Sequence, residues 1–163
     1  MEKKENAGDN DPYENIYKKS NDFIEKQMRG KIVVAEEDRE WLQTRQGKLL
    51  VYVQSEFYTD HVLQSFRVFK HDIRAHTGKH IHQGGLVIFV LEGEGHTLID
   101  GERYDWEAGD LILLPVKEGG VEHQHFNHDP EKGCKWIAFI YSPYWQNLAA
   151  EITQVENSPD YRG

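Results

Sequence analysis

The chain of 163 residues is long enough to bury a core, and we expect a single domain. Its formal charge of −9 argues against nucleic acid or an anionic membrane surface as a partner. One cysteine cannot form an internal disulfide, and the sequence shows neither a long apolar run nor a signal-peptide pattern. These features predict a cytoplasmic protein without a transmembrane helix.

The N-terminal part is predicted to lie outside the main fold. Residues 1–11 are small and charged, and we expect a disordered tail there. An arm follows at 12–47, in which apolar residues at helical spacing predict a helix from Pro12 to about Gly30, capped by Asp11. Two short elements are predicted after this helix: a strand at 31–34 and a helix or turn at 36–42.

From Lys48 onward the pattern becomes β-rich, and we place the main domain at 48–142. Short apolar runs alternate with glycine-containing turns, which is typical of a β-barrel or jelly roll. Asp100-Gly101 is a strong hairpin signal between two of these runs. The predicted strands cover residues 49–53, 62–73, 86–91, 96–99, 103–105, 111–114 and 135–141, and we expect strand 111–114 to be buried.

The chain is predicted to end in a helix. Ser142-Pro143 places a proline at the first helical turn, where its missing N–H costs nothing. We expect the helix to continue to about Val155. This helix and a short tail, residues 143–163, form the last predicted segment.

Two groups of histidines have a spacing that suits strands. His80 and His82 are separated by one residue, so both imidazoles point to the same face of a strand. His123 follows about forty residues later, and strands far apart in sequence line one interior in a barrel. His125 could replace His123, because it would face the same way. Three imidazoles suit a catalytic metal ion, since they leave coordination positions open.

These histidines belong to a longer motif that resembles the two-part signature of the cupin superfamily. The first part is matched by His80, His82 and either Gly93 or Gly95, although Gly78 stands closer to the histidines than the usual first glycine. The second part is matched by Gly109, Pro115, Gly120, His123 and Asn127. The resemblance implies an all-β cupin double-stranded β-helix, or jelly-roll barrel, whose metal ligands are His80, His82 and His123.

One departure from the common cupin pattern narrows the resemblance. Gly85 and Leu86 stand where many cupins carry a metal-binding glutamate. The chain is similar in this respect to three-histidine cupins, notably the gentisate, salicylate and 1-hydroxy-2-naphthoate ring-cleaving dioxygenases. That resemblance implies Fe(II), with zinc, manganese or nickel as other candidate metals. It also implies an anionic aromatic substrate and a homodimer.

Three further side chains are candidates for contact with the metal ligands or the substrate. His125 is expected to orient a ligand or act on substrate. Gln83 could hydrogen-bond substrate or oxygen. Arg67 alternates with apolar residues on a strand, so it is expected to point into the barrel and bind a carboxylate through its guanidinium fork. Gly84 and Gly85 are expected to leave room for a ring, and no catalytic residue is predicted beyond the metal site.

Three functions remain open at this point. The first is an Fe(II) dioxygenase acting on a hydroxylated aromatic acid, and its substrate class comes from the resemblance. The second is a metal-dependent lyase or isomerase, since three imidazoles on zinc or nickel would make a Lewis acid. The third is a cupin that binds a small molecule without catalysis. Oxygen consumption separates the first from the second, and tolerance to loss of the metal ligands identifies the third.

Overall fold

The fold consists of two antiparallel β-sheets that enclose the core, with one helix before them and a short one near the C-terminus. It is seen in a computed structural model that describes residues 11–148 and 152–163. The predicted all-β class with a helix towards each end is confirmed. The predicted disordered tail lies, except for Asp11, outside the described residues.

The described part of the chain contains two α-helices and eleven strands. The helices are α1 (Pro12–Arg29) and α2 (Ser142–Asn147), and a short 3-10 helix covers Glu36–Asp38. The strands are β1 (Trp41–Thr44), β2 (Gly47–Val53), β3 (Phe66–Ile73), β4 (Lys79–His82), β5 (Leu86–Glu92), β6 (Glu94–Ile99), β7 (Glu102–Glu107), β8 (Leu111–Leu114), β9 (Val121–Asn127), β10 (Cys134–Tyr141) and β11 (Thr153–Glu156). Neither α-helix combines the length and apolar character needed to cross a membrane.

The strand order brings distant parts of the sequence together. The larger sheet has the order β1-β2-β3-β10-β5-β8, and the smaller sheet has the order β11-β4-β9-β6-β7. Strand β4 therefore lies beside β9, although four strands separate them in the chain. This pairing places the two predicted histidine groups on neighbouring strands.

The core is built from alternate residues that face inward from both sheets. Strand β10 shows the pattern clearly, because every second residue from Cys134 to Ile140 is buried. Strand β5 contributes Ile88 and Val90, which pack in the same cluster. This alternation is the period of two that strand geometry imposes, and removing these apolar side chains from water stabilises the fold.

The hairpin between β6 and β7 turns at the residues that the sequence predicts. Asp100 has a φ of 52° and Gly101 a φ of 86°. Two successive positive φ angles match the right-handed twist of the strands, and aspartate followed by glycine adopts them readily. Asp100 also accepts a hydrogen bond from the Lys117 side chain, 2.7 Å away.

Two predictions for the N-terminal arm need correction. The strand predicted at 31–34 is only a single bridge between Lys31 and His61. The helix or turn predicted at 36–42 ends as a 3-10 turn at Asp38, and Trp41 begins strand β1. Pairing of β1 with β2 determines the conformation there, because sheet context overrides weak local preference. The helix α1 is as expected, and the Asp11 side chain accepts a hydrogen bond from the Tyr13 N–H.

Three predictions for later elements also need correction. The strand expected from residue 62 begins at Phe66. The C-terminal helix begins at Ser142 as predicted, but it ends at Asn147 and not near Val155. Strand β11, which the sequence pattern did not indicate, follows at Thr153–Glu156 and pairs with β4. The sheets thus include β1 and β11, both of which lie outside the range 48–142.

The outer face of the larger sheet is apolar where β5, β8 and β10 lie side by side. Leu111 is 60% exposed and Leu113 is 62% exposed, so the prediction that 111–114 is fully buried is wrong for these two residues. Strand β8 is an edge strand, and its outward side chains have no covering layer within the described chain. Helix α1 likewise buries none of its residues.

Candidate metal centre

Three histidines from β4 and β9 meet on the inner face of the smaller sheet. His80 and His123 are direct cross-strand partners, and His82 follows two residues later on the same face of β4. The ring centroids are 4.2 Å apart for His80 and His123, 4.6 Å for His82 and His123, and 4.9 Å for His80 and His82. One nitrogen from each ring lies within 4.8 Å of the others. The structure therefore brings together the three predicted ligands.

Hydrogen bonds fix the orientation of all three rings. Each Nδ1 atom lies at hydrogen-bond distance from a backbone carbonyl oxygen: His80 from Gly78 (3.3 Å), His82 from Gln83 (2.6 Å) and His123 from Val121 (3.1 Å). A carbonyl oxygen only accepts, so the proton of each neutral ring is on Nδ1 and the lone pair is on Nε2. Histidines that bind metals through Nε2 are held in this way by their second nitrogen.

Burial keeps these rings neutral. Burial, with a smaller contribution from the neighbouring imidazole of His82, lowers the pKa of His80 to about 3. Burial likewise lowers the pKa of His82, and it lowers the pKa of His123 well below its usual range. Neutral imidazole is the form that binds a metal ion. The three nitrogens therefore fit a divalent metal such as iron, zinc or nickel with coordination positions left open.

The histidine cluster forms part of the wall of a cavity between the two sheets. The cavity has a volume of about 460 Å³. Most of its lining is apolar and comes from β2, β3, β5 and β10: Leu49, Val51, Phe69, Ile88, Ala138 and Ile140. An apolar cavity with a few polar groups is the common form of a small-molecule site.

Arg67 lines the same cavity, as its alternation on β3 predicts. Its guanidinium carbon lies 4.8 Å from the ring centre of Trp145, and this ring is 5.7 Å from that of His82. One terminal nitrogen of Arg67 pairs with Glu56 at 2.9 Å. Its buried Nε has no hydrogen-bond partner in the described part of the chain. Trp145 thus contacts both the arginine and the histidine cluster.

His125 lies in the cavity wall but outside the cluster of three. Its ring centroid is 5.6 Å from that of His123 and 5.0 Å from that of Trp136. Its Nδ1 lies 2.7 Å from the Thr97 hydroxyl and not from a backbone carbonyl. The geometry therefore favours His123 over His125 as the third ligand.

Gln83 is not part of the cavity lining, although the sequence suggests that it faces substrate. Its side-chain nitrogen donates to the backbone carbonyl of Lys117 at 2.7 Å. Its side-chain oxygen accepts from the backbone N–H groups of Gly84 and Lys117. These bonds tie the Gln83 side chain to the backbone at Lys117 and so join two loops.

The reason for Gly84 and Gly85 also differs from the expectation. A Cβ atom on Gly84 would overlap the carbonyl oxygen of Pro115. Gly85 has a φ of 80°, and a Cβ there would lie 2.8 Å from the Tyr144 ring. The glycines are therefore required by close backbone packing and by a left-handed conformation, and not by space for a substrate ring.

Among the cavity residues that were not sequence candidates are His71 and Trp145. His71 is 3% exposed, lines the cavity and stacks on Trp136 with ring centroids 4.4 Å apart. Its alternation with Arg67 and Phe69 on β3 is the signal that could have found it. Trp145 reaches the cavity from α2, and no periodic pattern in the sequence marks it.

A second group of possible ligand atoms lies on the surface. Nitrogen atoms of His96 and His128 and a carboxylate oxygen of Asp105 lie within 4.8 Å of one another. The guanidinium of Arg103 contacts both Asp105 and His128. The positive charge of Arg103 would repel a metal cation, so this surface group is a poor site for a metal ion.

Residues 70–140 match the family described as Cupin domain. The matched segment contains the three clustered histidines, four of the five strands of the smaller sheet, and β5, β8 and nearly all of β10 from the larger sheet. Together with the two-sheet jelly roll, this match shows that the segment resembles a cupin domain in both sequence and fold. The resemblance that the sequence motif suggested is thereby confirmed.

The curated relative that we compare is a gentisate 1,2-dioxygenase from a Ralstonia species. It is 37% identical to this chain over 65 residues, which are 39% of this chain and 17% of the relative. The chain therefore spans much less than two thirds of the relative's length.

Two solved structures share the fold. A nucleoside dehydratase from Streptomyces has a TM-score of 0.57 and 16% identity, and the match covers 80% of this chain and 95% of the dehydratase. The salicylate 1,2-dioxygenase of Pseudoaminobacter salicylatoxidans, solved with gentisate, has a TM-score of 0.55 and 18% identity over 85% of this chain and 36% of the dioxygenase. These likenesses confirm the fold.

Proposed function

We propose that this chain is a metal-dependent enzyme that binds Fe(II) through His80, His82 and His123 and cleaves the ring of a hydroxylated aromatic acid. The observation that carries the proposal is the convergence of three Nε2 lone pairs on the wall of an apolar cavity that also holds Arg67. The chain is 37% identical to a gentisate dioxygenase over 65 residues, and this similarity supports a hydroxylated aromatic acid as the substrate.

The ligand set determines which substrate is favoured. Three neutral imidazoles leave the full double charge on a divalent metal, because no carboxylate ligand offsets it. An anionic substrate that offers a carboxylate beside a hydroxyl matches this charge. When bound, Fe(II) supplies a path for electrons from such a substrate to dioxygen.

The residues around the metal position the substrate. Arg67 can form two parallel hydrogen bonds to a substrate carboxylate, and its present partner Glu56 is half exposed and so readily exchanged. The apolar side chains from β2, β3, β5 and β10 would contact the ring and exclude water from it. Trp145 supports the arginine by packing against its guanidinium.

The test is oxygen uptake by the protein loaded with Fe(II) under anaerobic conditions and then mixed with gentisate or salicylate. We expect uptake that depends on both iron and the acid, and none from a His80→Ala variant. Nitric oxide stands in for oxygen on iron, so either acid should also change the iron–nitrosyl electron paramagnetic resonance signal. A signal that neither acid changes would overturn the aromatic-acid assignment.

A second candidate is a non-oxidative metal-dependent lyase, with zinc or nickel as a Lewis acid. One observation favours it: the match covers 95% of the nucleoside dehydratase but only 36% of the salicylate dioxygenase. This candidate predicts turnover of a nucleoside such as uridine without oxygen. Turnover under strict anaerobic conditions would select it over the dioxygenase.

We also propose a homodimer in the cytoplasm whose barrel is flanked by α1 and the C-terminal segment. The exposed apolar side chains of β5 and β8 support a partner surface, as does helix α1, which buries none of its residues. Light scattering of the full chain would give its mass in solution, and a monomer at micromolar concentration would contradict the dimer.

A further inference from the structure

A buried chain of hydrogen bonds runs from Trp106 through Thr97 to His125. The Trp106 indole nitrogen lies 2.9 Å from the Thr97 hydroxyl oxygen, and that oxygen lies 2.7 Å from Nδ1 of His125. Thr97 and His125 are register partners of β6 and β9, so the sheet itself sets their distance. Thr97 is fully buried and His125 is 2% exposed.

The chemistry of the three groups determines where the protons lie. An indole N–H only donates, so Trp106 takes one lone pair of the Thr97 oxygen. The Thr97 O–H then needs an acceptor, because a buried hydroxyl without one is costly. Within the described chain, Nδ1 of His125 is the acceptor at hydrogen-bond distance. The hydroxyl therefore donates to Nδ1, and neutral His125 carries its proton on Nε2.

This proton arrangement is the reverse of that in the three clustered histidines. Their Nδ1 atoms face carbonyl oxygens and carry the proton, which leaves Nε2 to bind a metal ion. His125 lines the same cavity, and its Nε2 has no hydrogen-bond partner among the described residues. It presents a donor where its neighbours present lone pairs.

We infer that Thr97 and Trp106 hold His125 as an Nε2–H donor that binds an oxygen atom of the molecule held at the histidine cluster. The acceptor is a hydroxyl, carbonyl or carboxylate oxygen. An ammonium group cannot be the partner, because it has no lone pair to accept the hydrogen bond. Thr97 is a positioning residue, because it acts through His125 and does not touch the ligand. The inference rests on the proposed function only for the identity of that ligand.

The first test reads the position of the proton directly. The protein is loaded with zinc, which is diamagnetic, and long-range proton–nitrogen NMR spectra of the His125 ring are recorded without ligand. We expect the proton on Nε2 in the wild type and in Thr97→Ser, which keeps the hydroxyl. In Thr97→Val, which has the same shape without it, we expect a shift towards the Nδ1–H form. A wild-type spectrum with the proton on Nδ1 would overturn the inference.

The second test measures binding of gentisate to the same three zinc-loaded proteins by calorimetry. Loss of one donor should weaken binding by about tenfold in Thr97→Val, with recovery in Thr97→Ser and an unchanged zinc content in both. Equal affinity of all three proteins would overturn the inference and leave the proposed function standing. Failure of gentisate to bind the wild type would instead overturn the proposed ligand, and the NMR result would decide the inference alone.

Discussion

His80 and His123 face each other across the β4–β9 pair with their ring centroids 4.2 Å apart. The pairing register alone sets this distance, because the two residues come from strands that are distant in the chain. A slip of one residue would turn His123 to the opposite face of the sheet and remove it from the cluster. The glycines and turns around these strands therefore contribute to the site by holding the register.

Loss of a single clustered histidine is expected to abolish metal binding. We expect His80→Ala, His82→Ala and His123→Ala each to lower the metal content at least tenfold, because two imidazoles hold a divalent ion much less tightly than three. The barrel should still fold, since its apolar core is not changed. Elemental analysis gives the metal content, and circular dichroism reports the fold.

The surface histidine His96 provides the matched control for these variants. His96 belongs to the surface group with Asp105 and His128, which Arg103 contacts. His96→Ala should therefore keep the metal content of the wild type. Normal metal content in His80→Ala or His82→Ala would remove the proposed site.

Replacement of Arg67 is expected to weaken the binding of aromatic acids without loss of the metal. Arg67→Gln removes a charged donor of the carboxylate, which corresponds to about 10- to 100-fold in affinity. The loss should be restricted to ligands with a carboxylate, so catechol should bind equally to the variant and the wild type. Titrations followed through the iron–nitrosyl signal measure both.

Arg103→Gln is the control for a general effect of charge. Arg103 is an exposed arginine that pairs with Asp105, and neither residue lines the cavity. An equal loss of affinity in this variant, or an equal loss for catechol in Arg67→Gln, would contradict the role assigned to Arg67.

The sequence predicts the site well where a strand period controls it. His80 and His82 face the same way because side chains alternate along β4, and the same rule turns Arg67 into the cavity. The same alternation predicts that His71 faces the cavity, because it follows Arg67 by four residues on β3. No motif includes this histidine, so the sequence alone gives it no functional role.

The remaining features depend on pairing between distant segments. Strand β11 forms because the edge of β4 accepts it, and nothing in residues 153–156 alone indicates a strand. Gln83 is bound by the backbone of Lys117, which no local pattern reveals. The Thr97 hydroxyl is likewise placed beside His125 by the register of β6 and β9.

Gly84 is expected to be much less tolerant of substitution than a glycine in an open turn. A Cβ on Gly84 would overlap the Pro115 carbonyl, so Gly84→Ala must move the backbone and should lower the free energy of unfolding by about 3 kcal/mol or more. Gly119 has a φ of 79° and open space around it, so Gly119→Ala should cost only about 1 kcal/mol of backbone strain. Urea unfolding of both variants measures the difference, and equal costs would contradict the packing explanation.

The metal-free protein is expected to lose stability as the pH falls below about 6.5. Burial lowers the pKa of His71 to about 3 and that of His80 to about 3, whereas an unfolded chain has histidines with a pKa near 6.5. Below pH 6.5 the unfolded chain binds protons that the folded chain does not, so the free energy of unfolding decreases with falling pH down to about pH 3. At pH 5 each of these two histidines should account for about 2 kcal/mol.

The variant His71→Phe tests the assignment of this pH dependence. Phenylalanine keeps a flat ring against Trp136 but does not titrate, so the slope of stability against pH should decrease by about 1.4 kcal/mol per pH unit between pH 6 and pH 4. Urea unfolding of the metal-free wild type and variant across this range measures the two slopes. Equal slopes would show that His71 is protonated in the folded state, which would contradict its burial as the cause of the pH dependence.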